Sequence, residues 1–173
     1  MNTQKIIIVS GLPGSGKSTV AEAIAKQLQS PLLSVDPVES SILKSGIARS
    51  FESGLASYIV VQTLASEQLK LGMSVIIDAV NPVQEARDMW HELEKKHSAK
   101  LFIIECLLDE QVHKQRLHDR IRNMHGIPEV TWEDVEKRKK EYMLWKEKKL
   151  ILDTAQPQEK NMQEVLRYIE ELK

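Results

Sequence analysis

The chain has 173 residues, 42% of them hydrophobic and 28% charged, with a formal net charge of −1. Those proportions fit one ordinary globular domain over residues 1–173, long enough to bury its own core, and exclude a disordered or fibrous chain. No apolar run approaches the ~20 residues of a membrane span and the start KIIIVSGL lacks a signal-peptide pattern, so a cytoplasmic protein without a membrane partner is expected.

In chain order, Lys5 to Ser10 (KIIIVS) is a β-branched apolar run without alternation, the pattern of a strand buried on both faces of a parallel sheet. Similar runs at 31–35, 74–79, 100–107 and 149–153 predict four more strands. Helical spacing predicts helices over 17–29, 37–45, 53–70, 83–97, 110–122, 132–146 and 159–172. This alternation implies an α/β fold with a mainly parallel five-stranded sheet. Asn81-Pro82 reads as a helix start, Thr131 with Asp134 as an N-cap, and Gly72 as a helix stop. RNMHGIPEV, 122–130, reads as a mobile loop.

Between the first strand and the first helix lies GLPGSGKST, residues 11–19, which fits G-x-x-x-x-G-K-[ST] in the context its mechanism requires. Gly11, Gly14 and Gly16 allow the backbone to approach an anion closely, with Pro13 and Ser15 completing the loop. The helix beginning at Lys17 adds its positive end. Lys17 supplies a charge for terminal phosphates, the Ser18 hydroxyl is placed to bind Mg²⁺, and Thr19 supports the phosphates. The expected ligand is ATP with Mg²⁺.

Other charged residues suggest what becomes of the phosphates. Asp36 follows the strand at 31–35, on the edge where open parallel sheets bind ligands and, in the usual strand order, beside the strand leading into the loop. There it could accept a proton from an attacking hydroxyl; as the residue before Pro37 it could instead cap a helix. Asp78 ends the apolar strand SVIIDA in the Walker B manner and is the expected second Mg²⁺-binding residue. Asn81 could hold substrate or cap the next helix. Arg116 and Arg120 are spaced to share a helix face and close over ATP, with Arg122 at the helix end; a solvated charged face is the alternative. Arg87 is a weaker candidate for phosphate or substrate contact.

The remaining residues have ordinary readings. Cys106 sits in LFIIECLL and reads as a buried, inert thiol. His113 and His118 lack zinc-site spacing. Trp90, Trp132 and Trp145 read as core anchors, and EKRKKEYMLWKEKK, 136–149, as an exposed amphipathic helix.

IIIVSGLPGSGKST, SVD, VIIDAVNPVQEARDMW and RLHDRIR together resemble the small P-loop kinases related to the kinase domain of polynucleotide kinase, chloramphenicol phosphotransferase and gluconate kinase. The pattern is similar to a group of bacterial AAA-labelled ATP-binding proteins with VD before a helix, D-x-V-N-P after a strand, an arginine-bearing lid and TW before a long helix. The resemblance covers nearly the whole chain. It implies a P-loop NTPase three-layer α/β/α sandwich, nucleoside-kinase-like, with a short helical lid at about 116–130. By the same resemblance Asp36 matches the base, Asp78 the second acidic position, and Arg116 and Arg120 the lid arginines. One departure stands out: polynucleotide kinases tend to place an acidic and a basic residue soon after the base, where this chain has Pro37 and Val38.

The expected function is therefore ATP- and Mg²⁺-dependent transfer of the γ-phosphoryl group to a hydroxyl of a small molecule. Lys17, Asp36, Arg116 and Arg120 are the expected catalytic residues, and the acceptor is expected under residues 40–54. A 5′-hydroxyl polynucleotide kinase is one alternative, although the net charge offers nucleic acid no general attraction. An ATP-binding switch or slow ATPase is another. Either a monomer or a homodimer would suit these readings.

Overall fold

The structure, a computed structural model, describes residues 3–171. Its strands are β1 (Lys5–Ser10), β2 (Leu32–Ser34), β3 (Val75–Asp78), β4 (Lys100–Leu107) and β5 (Leu150–Asp153). Its helices are α1 (Lys17–Leu28), α2 (Val35–Lys44), α3 (Phe51–Lys70), α4 (Gln84–His97), α5 (Glu110–Asp119), α6 (Trp132–Glu141) and α7 (Gln158–Glu171). The last helix was expected to reach Leu172, which lies outside the described residues.

The strands form one parallel sheet in the order β2-β3-β1-β4-β5. Successive side chains of β1 point to opposite faces. Ile6 and Ile8 pack with Val61, Ala65 and Leu69 of α3 and with Trp90 and Leu93 of α4. Ile7 and Val9 pack with Val20 and Ile24 of α1 and with Val165 and Ile169 of α7. Both faces are thus covered by helices, which is why β1 reads as an unbroken apolar run. The expected three-layer α/β/α sandwich is what the chain forms.

Strand order changes one expectation. β2 does not lie beside β1, because β3 is between them. Val9, Asp78 and Ser34 instead form one row across β1, β3 and β2 near their carboxyl ends. The loop after β1 and the helix after β2 consequently flank the end of β3.

Several helix ends also differ from expectation. α2 begins at Val35 with Ser34 in the N-cap position, so Asp36 is inside the first turn and is not the cap. α4 has Val83 as N-cap, which removes Asn81 and Pro82 from its start. α5 stops at Asp119, leaving Arg120 extended beyond it. α6 ends at Glu141, and 142–149 is a non-helical strap rather than the end of an amphipathic helix. Two inferred ends hold: Thr131 and Asp134 form a reciprocal capping box, and Gly72, with φ of 86°, follows the end of α3.

Candidate active site

The loop from Gly11 to Gly16 turns between β1 and α1, with a backbone bond from the Ser15 amide to the Leu12 carbonyl at 3.1 Å. Gly16 is the N-cap of α1 at φ 87°, a left-handed conformation that favours glycine. Gly11 has φ of 150°, and a Cβ there would lie 2.7 Å from the Cys106 carbonyl oxygen, too close for any side chain. The Ser15 Oγ is buried without a hydrogen-bond partner, packed beneath Gly11.

Two side chains that sequence reasoning left aside fasten this loop from outside. The Thr154 hydroxyl, just past β5, donates to the Ser15 carbonyl at 2.6 Å. His113 of α5 bonds the Pro13 carbonyl through Nε2 at 2.8 Å, so that nitrogen carries the proton. Burial first, with Arg116 and Lys139 nearby, holds the His113 pKa below its usual value against the opposing effect of that bond. Its ring also meets Trp132 edge to face, with centroids 5.4 Å apart. His113 is therefore a neutral buttress, consistent with its poor zinc spacing. The only sequence signals were a histidine on an otherwise charged helix and a threonine at a strand end, neither of them distinctive.

A cavity of about 490 Å³ opens beside the loop, within the usual range for small-molecule sites. Gly14, Gly16, Lys17, Ser18 and Thr19 line one side, Arg116 and Arg120 the lid side, and Gln158, Asn161 and Met162 of α7 the far wall. Arg116 donates to the Thr154 carbonyl at 2.9 Å, which ties α5 to the turn after β5. Arg120 comes to the same cavity although it is beyond the helix. Burial chiefly, then Arg122, lowers its pKa, while Asp36, Glu129 and Asp78 oppose that change.

Gly11, Pro13, Ser15, Asp36 and Asp78 do not line the cavity; the acids lie at the β2–β3 side of the loop. Asp36 receives a 2.5 Å charged hydrogen bond from Arg122. Burial acts to raise its pKa, but Lys17 above all, then Arg122 and Arg120, outweigh burial and hold Asp36 below its usual value. Asp36 is therefore ionised. Asp78 is buried, and its Oδ1 has no hydrogen-bond partner. An orphaned carboxylate oxygen at the end of β3 fits a cation or its bound water. Among the described residues, no group of three or more His, Cys, Asp or Glu side chains could hold a metal ion by itself. Mg²⁺ that arrives with a nucleotide needs no such group, because phosphates and water supply most of its ligands.

Two weaker candidates have other work. Arg87 is buried, donates to the Asn81 carbonyl at 3.0 Å and to the Met143 carbonyl, and stacks 4.1 Å from the Trp145 ring centroid and 5.4 Å from that of Tyr142. It fixes the 142–149 strap and does not line the cavity beside the loop. Asn81, at φ 52°, accepts from Trp90 Nε1 at 2.8 Å and donates from its amide nitrogen to Ala79 O. It organises the turn after β3 and does not cap α4.

The segment 122–130 is tied down at both ends of its turn. Glu129 accepts from the Arg122 and Asn123 amides at 2.7 and 3.0 Å, and Ser40 of α2 donates to the His125 carbonyl at 3.0 Å. Cys106 is buried as expected, with burial pushing its thiol pKa up to about 12.

A parallel sheet whose central strand runs into this loop, with Arg116 of α5 and Arg120 just beyond it lining the cavity, defines a P-loop protein of kinase-like fold. The family model described as an AAA domain matches residues 6–144, and the chain belongs to that family. It is 27% identical over 137 residues to the bifunctional polynucleotide phosphatase/kinase of Schizosaccharomyces pombe, covering 78% of this chain but only 29% of that protein. Among solved structures, it is similar to the APS kinase of Mycobacterium tuberculosis (TM-score 0.74, 22% identity, 98% of this chain and 99% of that one). A gluconokinase from Sinorhizobium meliloti aligns with TM-score 0.69 and 21% identity over 98% and 93% of the two chains. Both likenesses are of fold. Among the described residues, no helix is long and apolar enough to cross a membrane.

Proposed function

We propose that the protein transfers the γ-phosphoryl group of ATP, with Mg²⁺, to a hydroxyl of a small molecule. The observation that carries this reading is the position of Asp36, just past β2 across the β3 end from the phosphate loop and oriented by its ion pair with Arg122.

The loop and Lys17 hold the phosphates, and Arg116 and Arg120 close the cavity from the lid side, excluding water from the transferring group. Ser18 and Asp78 are the residues that would hold Mg²⁺. Bound with the nucleotide, Mg²⁺ supplies charge neutralisation at the phosphate oxygens. Asp36 orients the acceptor hydroxyl and takes its proton as the oxygen bonds phosphorus; a loose transition state asks more for positioning than for a strong base. The acceptor enters between α2 and the start of α3, residues 40–54, where Gly46 sits in open space.

A 5′-hydroxyl polynucleotide kinase is the second reading, favoured by the named activity of the S. pombe relative. Against it, Pro37 and Val38 follow the base, and Glu39 is occupied in accepting from the Ser53 hydroxyl at 3.2 Å. The two are separated by following label from γ-labelled ATP into pooled hydroxyl metabolites and into a 5′-hydroxyl oligonucleotide. Label in the metabolites supports the proposal, whereas label confined to the oligonucleotide replaces it with the second reading.

A further inference from the structure

The turn that follows Asp78 is held from outside by a chain of three hydrogen bonds. Ser10, fully buried at the end of β1, bonds the Val80 carbonyl at 2.9 Å and the Tyr142 hydroxyl at 2.9 Å. Trp145 Nε1 lies 3.2 Å from that same tyrosine oxygen.

The protons of this chain have one arrangement. A carbonyl only accepts, so the single Ser10 hydroxyl proton goes to Val80. Ser10 must then accept from Tyr142, and Tyr142 accepts in turn from the indole, which only donates. Burial above all, with the Glu105 carboxylate acting in the same direction against the bond to Ser10, pushes the Tyr142 pKa up to about 12. The phenol therefore keeps the proton it has to give. Every donor from Trp145 to Val80 points the same way, and bonds so aligned strengthen one another.

The chain bears on both parts of the nucleotide site. Ser10 is the last residue before Gly11 of the phosphate loop, and Val80 is two residues past Asp78. Asp78 needs such support: its Oδ1 has no hydrogen-bond partner, so the backbone must aim it. On one side that backbone is fixed by pairing with Val9 and Ser34. On the other it enters a turn where Asn81 takes a left-handed φ, which a residue other than glycine keeps only where its surroundings enforce it. The strap joins in this enforcement twice, through Tyr142 and through the Met143 amide, which donates to the Pro82 carbonyl at 3.0 Å.

We infer that Tyr142 is a positioning residue for Mg²⁺: through Ser10 it fixes the turn after β3, and with it the direction of the Asp78 carboxylate. The inference rests on the proposed use of Asp78 for Mg²⁺ that arrives with the nucleotide, and it needs neither the acceptor nor the transfer step.

The test titrates Mg²⁺ into the full chain with ATP and reads ATP binding by calorimetry, with metal-free binding measured in EDTA. Tyr142→Phe keeps the ring against Arg87 and removes only the hydroxyl, while Ser10→Ala removes the last link. Each should raise the Mg²⁺ concentration for half-maximal effect about tenfold, the lower end of what support behind a metal ligand contributes. Metal-free ATP affinity, and affinity at saturating Mg²⁺, should stay as in the wild type. His91→Ala cuts a different anchor of the strap, the 2.8 Å bond to Glu147, and should lower the melting temperature without moving the Mg²⁺ requirement. An unmoved Mg²⁺ requirement in either Tyr142→Phe or Ser10→Ala, an equal loss of ATP affinity with and without metal, or the same shift in His91→Ala would overturn this inference alone. Wild-type ATP binding indifferent to Mg²⁺ would overturn it together with the role of Asp78.

Discussion

Arg122 and Asp36, 86 residues apart in sequence, are joined by a 2.5 Å ion pair between the segment after α5 and the first turn of α2. The pair gives the acceptor-side carboxylate a fixed direction, and Arg122 adds to Lys17 in keeping it ionised. In Arg122→Gln the Asp36 pKa should rise. The acidic limb of the kcat/KM profile should then move to higher pH. For stability, a depressed carboxyl pKa contributes fully above the unfolded value near 3.8 and loses its contribution as pH falls through the lower folded value. The variant should therefore lose stability mainly at and above that pH, a difference read by thermal melts at pH 7 and pH 3.

Gly11 cannot accept a side chain, since a Cβ would meet the Cys106 backbone at 2.7 Å and the Ser15 Oγ at 2.6 Å. Gly11→Ala should cost about 1–3 kcal/mol in stability and weaken nucleotide binding, because the loop must shift off β4. Chemical denaturation and nucleotide titration of the same preparation measure both.

These relationships show which parts of the molecule were legible in the sequence. The strands and the phosphate loop were, because burial on both faces and the glycine positions each impose an unusual residue pattern. The end of α6 was not: Tyr142 and Trp145 fit a helical period, but Arg87 draws them into a strap by stacking and by bonding the Met143 carbonyl. That bond belongs to tertiary structure and leaves no local mark. Arg87 is hidden for the same reason, since a lone arginine near NP looks the same whether it meets phosphate or carbonyls. Thr154 and His113 act through hydrogen bonds to backbone atoms 139 and 100 residues away, invisible to any motif.

Arg87 should be a stability residue. Replacing it with Met removes two charge-assisted hydrogen bonds and the stacking on Trp145, a loss of about 3 kcal/mol. The melting temperature should fall clearly while KM for ATP changes little; a large KM change with unaltered stability would restore Arg87 as a phosphate contact.

His113 should make the loop sensitive to acid. Its folded pKa lies below its usual 6.5, so the unfolded chain takes up the proton first and stability falls as pH drops through 6.5. His113→Gln keeps a donor for the Pro13 carbonyl and should flatten this dependence. Denaturation at pH 7.5 and pH 5.5 for both proteins measures the difference.

The most direct test of the proposed reaction compares wild type with Asp36→Asn, following label from γ-labelled ATP with Mg²⁺ into hydroxyl acceptors alongside ATP binding. Transfer should fall about 10²–10⁴-fold in the variant, the usual contribution of a positioned proton acceptor, while ATP affinity is retained. Label released only as free phosphate, at equal rates from both proteins, would contradict phosphotransfer through Asp36 and indicate a nucleotide switch instead.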